Sequence, residues 1–327
     1  MEKEEKKLKF LYTTNYVHKQ LIENEELLRT GLYSWISVFD GDVKRFQDLE
    51  PSDYEKYDVI HVNMSAQDLH IPQTIRDHIG PNSKTKIVCN NDYTCELWGA
   101  SFDAPLAWKH YYDAADMIFG TEPYQVGALE ILLNRKVHLI THPCFVKRLK
   151  TLSVPKVQNQ IAVMAHRYDM NIVTPSIAVS NIPGYKTVLI GYEQGADKRG
   201  YVTQCCYNTI LSGTNYMDFC NQLMESKVVV DPFTLTSQSR TGWDCAAMGV
   251  PMVGSDRNHS ARICFPKTSC DPFDIKKIRE LTLKLLNDEA FRKEVIDYAK
   301  NAVEIVNYEN SKANYLKALE EGSPKLT

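Results

Sequence analysis

Short apolar runs alternate with amphipathic stretches along the first half of the chain. The spacing of apolar and polar positions predicts one helix over 18–31, which Gly31 ends, and another over 123–136, which Pro123 begins. Short, mainly apolar runs, which predict β-strands, lie at 8–14, 57–65, 85–92, 115–122 and 136–143. This alternation is typical of right-handed βαβ units that build a parallel sheet.

The pattern starts again after a mixed segment at 151–160, which contains Pro155 and which we interpret as a linker. Further apolar runs lie at 160–167, 185–193, 227–233 and 250–256. The tail, 271–322, has helical periodicity, and we expect its last helix to begin at Ser311 as N-cap and to end at Gly322. A further helix is predicted at 216–226, and another within the stretch that begins at 239.

We therefore predict an α/β fold with two Rossmann-like parallel-sheet domains. The first spans 1–153 and the second spans 154–300, while helices in 301–327 pack back toward the first domain. In open sheets of this kind, ligands bind beyond the carboxyl ends of the strands.

Composition narrows the class of protein. The chain has 327 residues, a net charge of −3 and 43% hydrophobic residues, which favours folded domains and argues against a nucleic-acid partner. Its nine cysteines form no C-x-x-C pair, so we expect free buried thiols rather than a zinc site. No apolar run approaches the roughly eighteen residues that predict a membrane span, so we expect a cytoplasmic protein without a transmembrane segment.

The stretch SRTGWDCAAMGVPMVGSD, residues 239–256, carries the strongest chemical signal. A loop with hydroxyls, an arginine and a glycine runs into a short helix, and the start of a helix offers N–H donors to an anion. Arg240 supplies a planar fork for phosphate oxygens, and Asp244 lies one turn into the helix. The competing interpretation is a capping box between Thr241 and Asp244.

This segment resembles a motif of GT-B glycosyltransferases. In the retaining, family-4-type group, the second domain carries a run like E-G-F-G-x-x-x-x-E-A-M-A-x-G-x-P-V-V-x-S-D. Residues 236–256 align with it without a gap, and they match at Ala247, Gly249, Pro251, Val253, Ser255 and Asp256. The resemblance implies two domains that face a cleft and a sugar nucleotide, UDP- or GDP-linked, as co-substrate. It also implies that neither a metal nor another cofactor takes part.

The resemblance also implies roles for individual residues. The donor diphosphate would contact Arg167, Ser239, Arg240, Thr241 and Gly242, and the donor ribose would contact Asp244. Asp92, at the end of the third apolar run, would polarise the acceptor hydroxyl as a catalytic group. The structural alternatives are a surface ion pair for Arg167 and an ordinary turn for Asp92.

The chain departs from the family pattern at two places. The paired acids of the motif align with Thr236 and Asp244, so the first acid is absent. The family's arginine–lysine pair for the diphosphate is also incomplete, because the segment YDMNIVTP after Arg167 contains no lysine. Three functions stay open: a glycosyltransferase, an inactive relative that binds a nucleotide or sugar, and a sugar-nucleotide epimerase. For a transferase, the acceptor would be a glycan or another hydroxyl-bearing molecule, and the net charge does not favour nucleic acid.

Overall fold

Parallel strands form the centre of both halves of the protein. The structure, a computed structural model, describes residues 8–15, 33–64, 68–91, 105–154, 156–164, 173–192, 209–212, 216–231 and 233–326. Two units contain these residues: Met1–Pro143 with Tyr308–Thr327, and Cys144–Asn307.

The first unit contains a six-stranded parallel sheet of order β2-β1-β3-β4-β5-β6. Its strands are β1 Phe10–Thr14, β2 Asp42–Arg45, β3 Val59–Asn63, β4 Lys86–Asn91, β5 Met117–Gly120 and β6 His138–Leu139. Four apolar runs predicted these strands correctly, and the run at 136–143 forms only the short β6. The sequence pattern missed β2, because this edge strand, DVKR, is polar and none of its residues is buried.

The second unit contains a six-stranded parallel sheet of order β12-β11-β10-β7-β8-β9. Its strands are β7 Gln160–Met164, β8 Lys186–Tyr192, β9 Thr209–Ser212, β10 Val228–Asp231, β11 Met252–Ser255 and β12 Ser269–Cys270. The four predicted strands are present, whereas the short β9 and β12 were not predicted. From β7 the chain first builds one side of the sheet and then, from β10, the other, so the strand order reverses between β7 and β10.

Helices accompany both sheets, so the predicted fold class, two Rossmann-like α/β domains, is confirmed. They are α1 Ser34–Phe39, α2 Ile71–Ile79, α3 Pro105–Tyr112, α4 Pro123–Leu133, α5 Val146–Leu149, α6 Val173–Val179, α7 Tyr216–Met224, α8 Arg240–Met248, α9 His259–Cys264, α10 Ile275–Asn287, α11 Glu289–Ala302 and α12 Tyr308–Glu321. The helix predicted over 18–31 lies outside the described residues.

The boundaries of the units differ from those that the sequence predicted. The first boundary lies at 143/144 rather than 153/154, because Cys144, Val146 and Leu149 belong to the core of the second unit. The chain returns to the first unit at 307/308, where α12 begins.

Helix α12 also corrects the predicted cap. It begins at Tyr308, so Ser311 is not its N-cap but a buried residue inside the helix. Gly322 follows the helix with φ of 63°, a left-handed conformation that glycine adopts at low cost, as predicted.

Two further expectations concern the side chains and the membrane. Cys89, Cys144, Cys220, Cys245 and Cys264 are buried free thiols in the structure. Within the described part of the chain, no helix combines the length and the apolar content that a bilayer crossing requires.

Candidate functional site

Strand β10 and helix α8 are joined by a loop that is held in place on one side. Ser237 forms a β-bridge with Asn258. The backbone N–H of His259 donates to the carbonyl of Ser237 at 2.8 Å, and that of Ser260 donates to the carbonyl of Gln238 at 3.1 Å. The loop before α8 therefore has a defined backbone, because the segment that opens α9 supports it.

Ser239 is the N-cap of α8, but its side chain does not cap the helix. Its φ of 37° and ψ of 108° are unusual for a residue other than glycine. The Ser239 N–H donates to Oγ of Ser237 at 3.0 Å, and the Ser239 hydroxyl donates to Oδ2 of Asp231 at 2.8 Å. The capping box considered for Thr241 is absent, since the helix begins one residue earlier and Thr241 lies buried in its first turn.

Asp231 ends strand β10 next to the point where the strand order reverses. Its side chain is buried, with only 1% of the residue exposed. Burial raises the pKa of Asp231 to about 6, and hydrogen bonding by Ser239 and by the Phe233 backbone opposes that rise. The motif pattern did not single out this residue, although an acid that ends the wholly apolar run VVV was a usable signal.

Asp244 lies in the interior of the second unit, beside Arg240. Its Oδ2 accepts a hydrogen bond from Nε of Arg240 at 3.1 Å, and its Oδ1 accepts one from the Tyr216 hydroxyl at 2.8 Å. The Arg240 guanidinium carbon lies 4.2 Å from the centre of the Tyr216 ring. Because the Asp244 side chain is only 2% exposed, the predicted contact between Asp244 and a ribose requires this network to open.

The ion pair shifts the titration of both partners. Burial raises the pKa of Asp244, and Arg240 and the Tyr216 hydroxyl oppose that rise. Burial acts to lower the pKa of Arg240, but Asp244, Tyr216 and Cys220 together outweigh it, and the pKa lies above its ordinary value. The Arg240 side chain is 31% exposed and that of Asp244 only 2%, so Arg240 is the member that reaches toward solvent.

Gly242 is needed for a contact between two helices. A Cβ atom at this position would lie 2.3 Å from Oγ and 2.7 Å from Cβ of Ser260 on α9. The sequence suggested that Gly242 allows a phosphate to approach the backbone, whereas in the structure the close neighbour is Ser260.

Replacing Gly242 by alanine should lower the free energy of unfolding by about 1–3 kcal/mol, the usual cost of overpacking a core. The double variant Gly242→Ala/Ser260→Gly should regain part of that loss, because the colliding side chain is gone. Thermal unfolding of the three proteins measures the effect. A G242A protein as stable as the wild type would contradict the described contact between α8 and α9.

Four further polar residues lie at or near strand ends in the sequence or in the motif. Asp92 and Arg167 lie outside the described residues, and their roles stay predictions. Glu122 caps α4, since its carboxylate accepts hydrogen bonds from the N–H groups of Tyr124 and Gln125. Thr236, at the position of the missing acid, is partly buried.

Comparisons with known proteins identify the fold. No family model and no curated protein matches the chain. Sucrose-phosphate synthase from Thermosynechococcus elongatus is similar in structure, with a TM-score of 0.70, 14% identity, and coverage of 96% of this chain and 98% of that chain. HepE from Anabaena, in complex with UDP-glucose, has a TM-score of 0.69, 11% identity, and coverage of 96% and 100%.

A third similar structure is α,α-trehalose 6-phosphate synthase from Burkholderia multivorans, with a TM-score of 0.68, 11% identity, and coverage of 96% of both chains. At these identities the likeness concerns the fold. The resemblance to GT-B glycosyltransferases, first indicated by residues 236–256, is thereby confirmed at the level of the fold.

Proposed function

We propose that the protein is a glycosyltransferase that moves a sugar from a UDP- or GDP-sugar to a hydroxyl group, with retention and without a metal. The observation that carries this proposal is the likeness of nearly the whole chain to a UDP-glucose-bound protein and to two sugar-phosphate synthases. The motif segment supports it, because its loop and the start of α8 follow the carboxyl end of β10 in the second sheet, and strand β11 comes after the helix.

The donor diphosphate would lie at the first turn of α8. The N–H groups at a helix start carry partial positive charge, and the N-cap side chain of this helix does not occupy them. Arg240 adds a full charge that is partly exposed, while its Nε is engaged by Asp244. Stabilising the charge that develops on the leaving diphosphate is the main catalytic contribution expected from such donors.

Ser239 would act through its backbone position. Its hydroxyl, which the sequence suggested as a phosphate contact, instead donates to Asp231. Arg167, which follows β7 in the chain, remains the proposed second cation for the diphosphate, and Asp92, which follows β4, remains the proposed group that polarises the acceptor.

The acceptor that we propose to test first is a sugar phosphate. Two of the similar structures are synthases named for a phosphorylated disaccharide product, which supports a carbohydrate hydroxyl as acceptor. The net charge of −3 gives no support for a nucleic-acid acceptor.

A second candidate function is an inactive relative that binds a nucleotide or a sugar. Thr236 stands where the motif has its first acid, and Asp244, the second, is held by Arg240 and Tyr216. This function predicts binding without turnover.

The experiment is a donor assay with a panel of UDP- and GDP-sugars, with glucose 6-phosphate as acceptor and with or without a chelator. Release of the nucleoside diphosphate, unchanged by the chelator, is the result that a metal-independent transferase should give. Arg240→Lys should slow that release by about tenfold or more, because lysine cannot reproduce the planar fork. Arg292→Lys, on α11, is the matched control and should leave it unchanged. Binding of UDP or GDP without release across the panel would favour the inactive relative, and no binding would exclude both.

A further inference from the structure

Asp231 occupies a central position in the second sheet that the proposed reaction does not yet use. Strand β10 pairs with β7 on one side and β11 on the other, and Asp231 is its last residue. The carboxyl ends of strands at such a reversal of strand order are where open α/β sheets bind ligands. Because Asp231 is almost completely buried, it is placed to act through a neighbour rather than on a ligand directly.

The neighbour is Ser239, whose backbone conformation needs support. A positive φ is uncommon outside glycine and is strained unless the surroundings hold it. The hydrogen bond from the Ser239 hydroxyl to the Asp231 carboxylate is 2.8 Å long and supplies that hold. The Ser239 N–H bond to Ser237 fixes the same residue from the other side.

The same hydrogen bond keeps the N-cap side chain away from the helix. Serine at an N-cap ordinarily accepts hydrogen bonds from the N–H groups of the first turn, the donors that an anion would use. Here the Ser239 hydroxyl points to Asp231, and the helix has no side-chain cap. Asp231 therefore decides whether the first turn of α8 is capped internally or left for a ligand.

A second observation marks the same corner of the unit. Asn258 is fully buried, and within the described residues neither Nδ2 nor Oδ1 of its side chain has a hydrogen-bond partner. It is bridged to Ser237 in the loop before α8. The buried Ser260 Oγ, against Gly242, and Nε1 of Trp243 in α8 are unpartnered too. Unpaired buried polar groups are costly and uncommon, and three residues that carry them lie together beside the start of α8.

We propose that Asp231 is a positioning residue for the donor diphosphate, which holds Ser239 so that the first turn of α8 stays open to phosphate oxygens. This role rests on the proposed function.

The test is calorimetric titration of UDP and of GDP into the full chain. Asp231→Ala should weaken binding about tenfold, because Ser239 can then leave its strained conformation and cap the helix. Asp231→Asn should retain affinity to within about twofold, since its amide oxygen still accepts the Ser239 hydrogen bond. The double variant Asp231→Ala/Ser239→Gly should bind about fivefold more tightly than D231A, because glycine adopts a positive φ without help.

Thr268→Val is the matched control. Its Oγ1 donates to the Met252 carbonyl at the opposite end of β11, so the variant loses one buried hydrogen bond and should lose no affinity for nucleotide. If D231A does not fold, Ser239→Ala and Ser239→Gly test the same bond from its other end, and S239A should bind about fivefold more weakly than S239G.

The outcomes separate the two proposals. A wild-type protein that binds neither UDP nor GDP would overturn the proposed function and this role with it. If the wild type binds and D231A binds equally well, the positioning role alone is overturned. It is also overturned if Asp231→Ala/Ser239→Gly binds nucleotide no more tightly than D231A. Where D231A does not fold, it is overturned if S239G binds no more tightly than S239A.

Discussion

An Arg240→Ala protein should lose about 3 kcal/mol of unfolding free energy at neutral pH. Removing one member of a buried ion pair leaves the other charge uncompensated, which typically costs about 3–5 kcal/mol, and the partial exposure of Arg240 places this case at the lower end. In a domain of this size, that loss corresponds to a fall in Tm of about 6–12 °C. Thermal unfolding followed by circular dichroism measures it.

The pH dependence of this loss identifies its cause. Without Arg240, the effect of burial on Asp244 is opposed only by the hydrogen bonds from Tyr216 and Cys144, so the pKa rises further above the unfolded value. A raised pKa means that the folded state prefers the protonated acid, so the penalty is present above that pKa and is relieved as the pH falls toward the ordinary value. The difference between R240A and the wild type should therefore be larger at about pH 8 than at about pH 5.

The matched double variant also removes the charge of Asp244, so that no uncompensated carboxylate is left in the interior. Arg240→Ala/Asp244→Asn should recover most of the loss, since the remaining amide can still accept from Tyr216 and carries no charge. If R240A melts with the wild type, or if its deficit is the same at both pH values, the buried pair does not carry the energy that we assign to it. The result also matters for nucleotide binding, because R240A can lose affinity through unfolding as well as through a lost phosphate contact.

Tyr315→Ala should destabilise the first unit by about 3–5 kcal/mol, the usual cost of deleting a large buried aromatic side chain. Tyr315, on α12, is fully buried among the rings of Phe10, Trp35, Phe39, His61 and Phe119, with centroid distances between 4.9 and 6.1 Å. The expected fall in Tm is about 6–20 °C, measured by thermal unfolding.

Two variants separate this packing from other effects. Tyr315→Phe should cost less than about 1.5 kcal/mol, because it keeps the ring and loses only the 3.4 Å contact of the hydroxyl with Nδ1 of His61. Tyr298→Ala removes an exposed tyrosine from helix α11 and should change stability by no more than about 0.5 kcal/mol. Equal stabilities for Y315A and Y298A would show that α12 is not packed as described.

This core also explains why two histidines of the first unit are structural. His61 is fully buried, its Nε2 lies 2.8 Å from Oδ1 of Asn90, and burial lowers its pKa to about 3. His142 is also buried, and its Nδ1 accepts a hydrogen bond from the Trp35 indole at 3.0 Å. Both imidazoles therefore serve the packing of the first unit.

The sequence determined the fold class through the periodic spacing of its apolar positions. Buried strands such as β3 and β10 are mainly apolar because both faces of a parallel sheet are covered, and this signal is local. The edge strand β2 was not predicted, because it is polar and is not covered on both faces as the central strands are. The motif at 236–256 likewise located α8 and β11, since turn residues and an apolar strand follow one another within a few positions.

Only the tertiary structure decided what the polar residues of that motif contact. From the sequence, Asp244 was assigned to a ribose, yet its neighbours are Arg240, Tyr216 and Cys144, two of which come from outside the motif. The sequence did not indicate a role for Asp231, because that role depends on its hydrogen bond with Ser239, which the loop between β10 and α8 places beside it. The role of a carboxylate depends on the groups that surround it after folding. The periodicity of apolar positions carries no information about those groups.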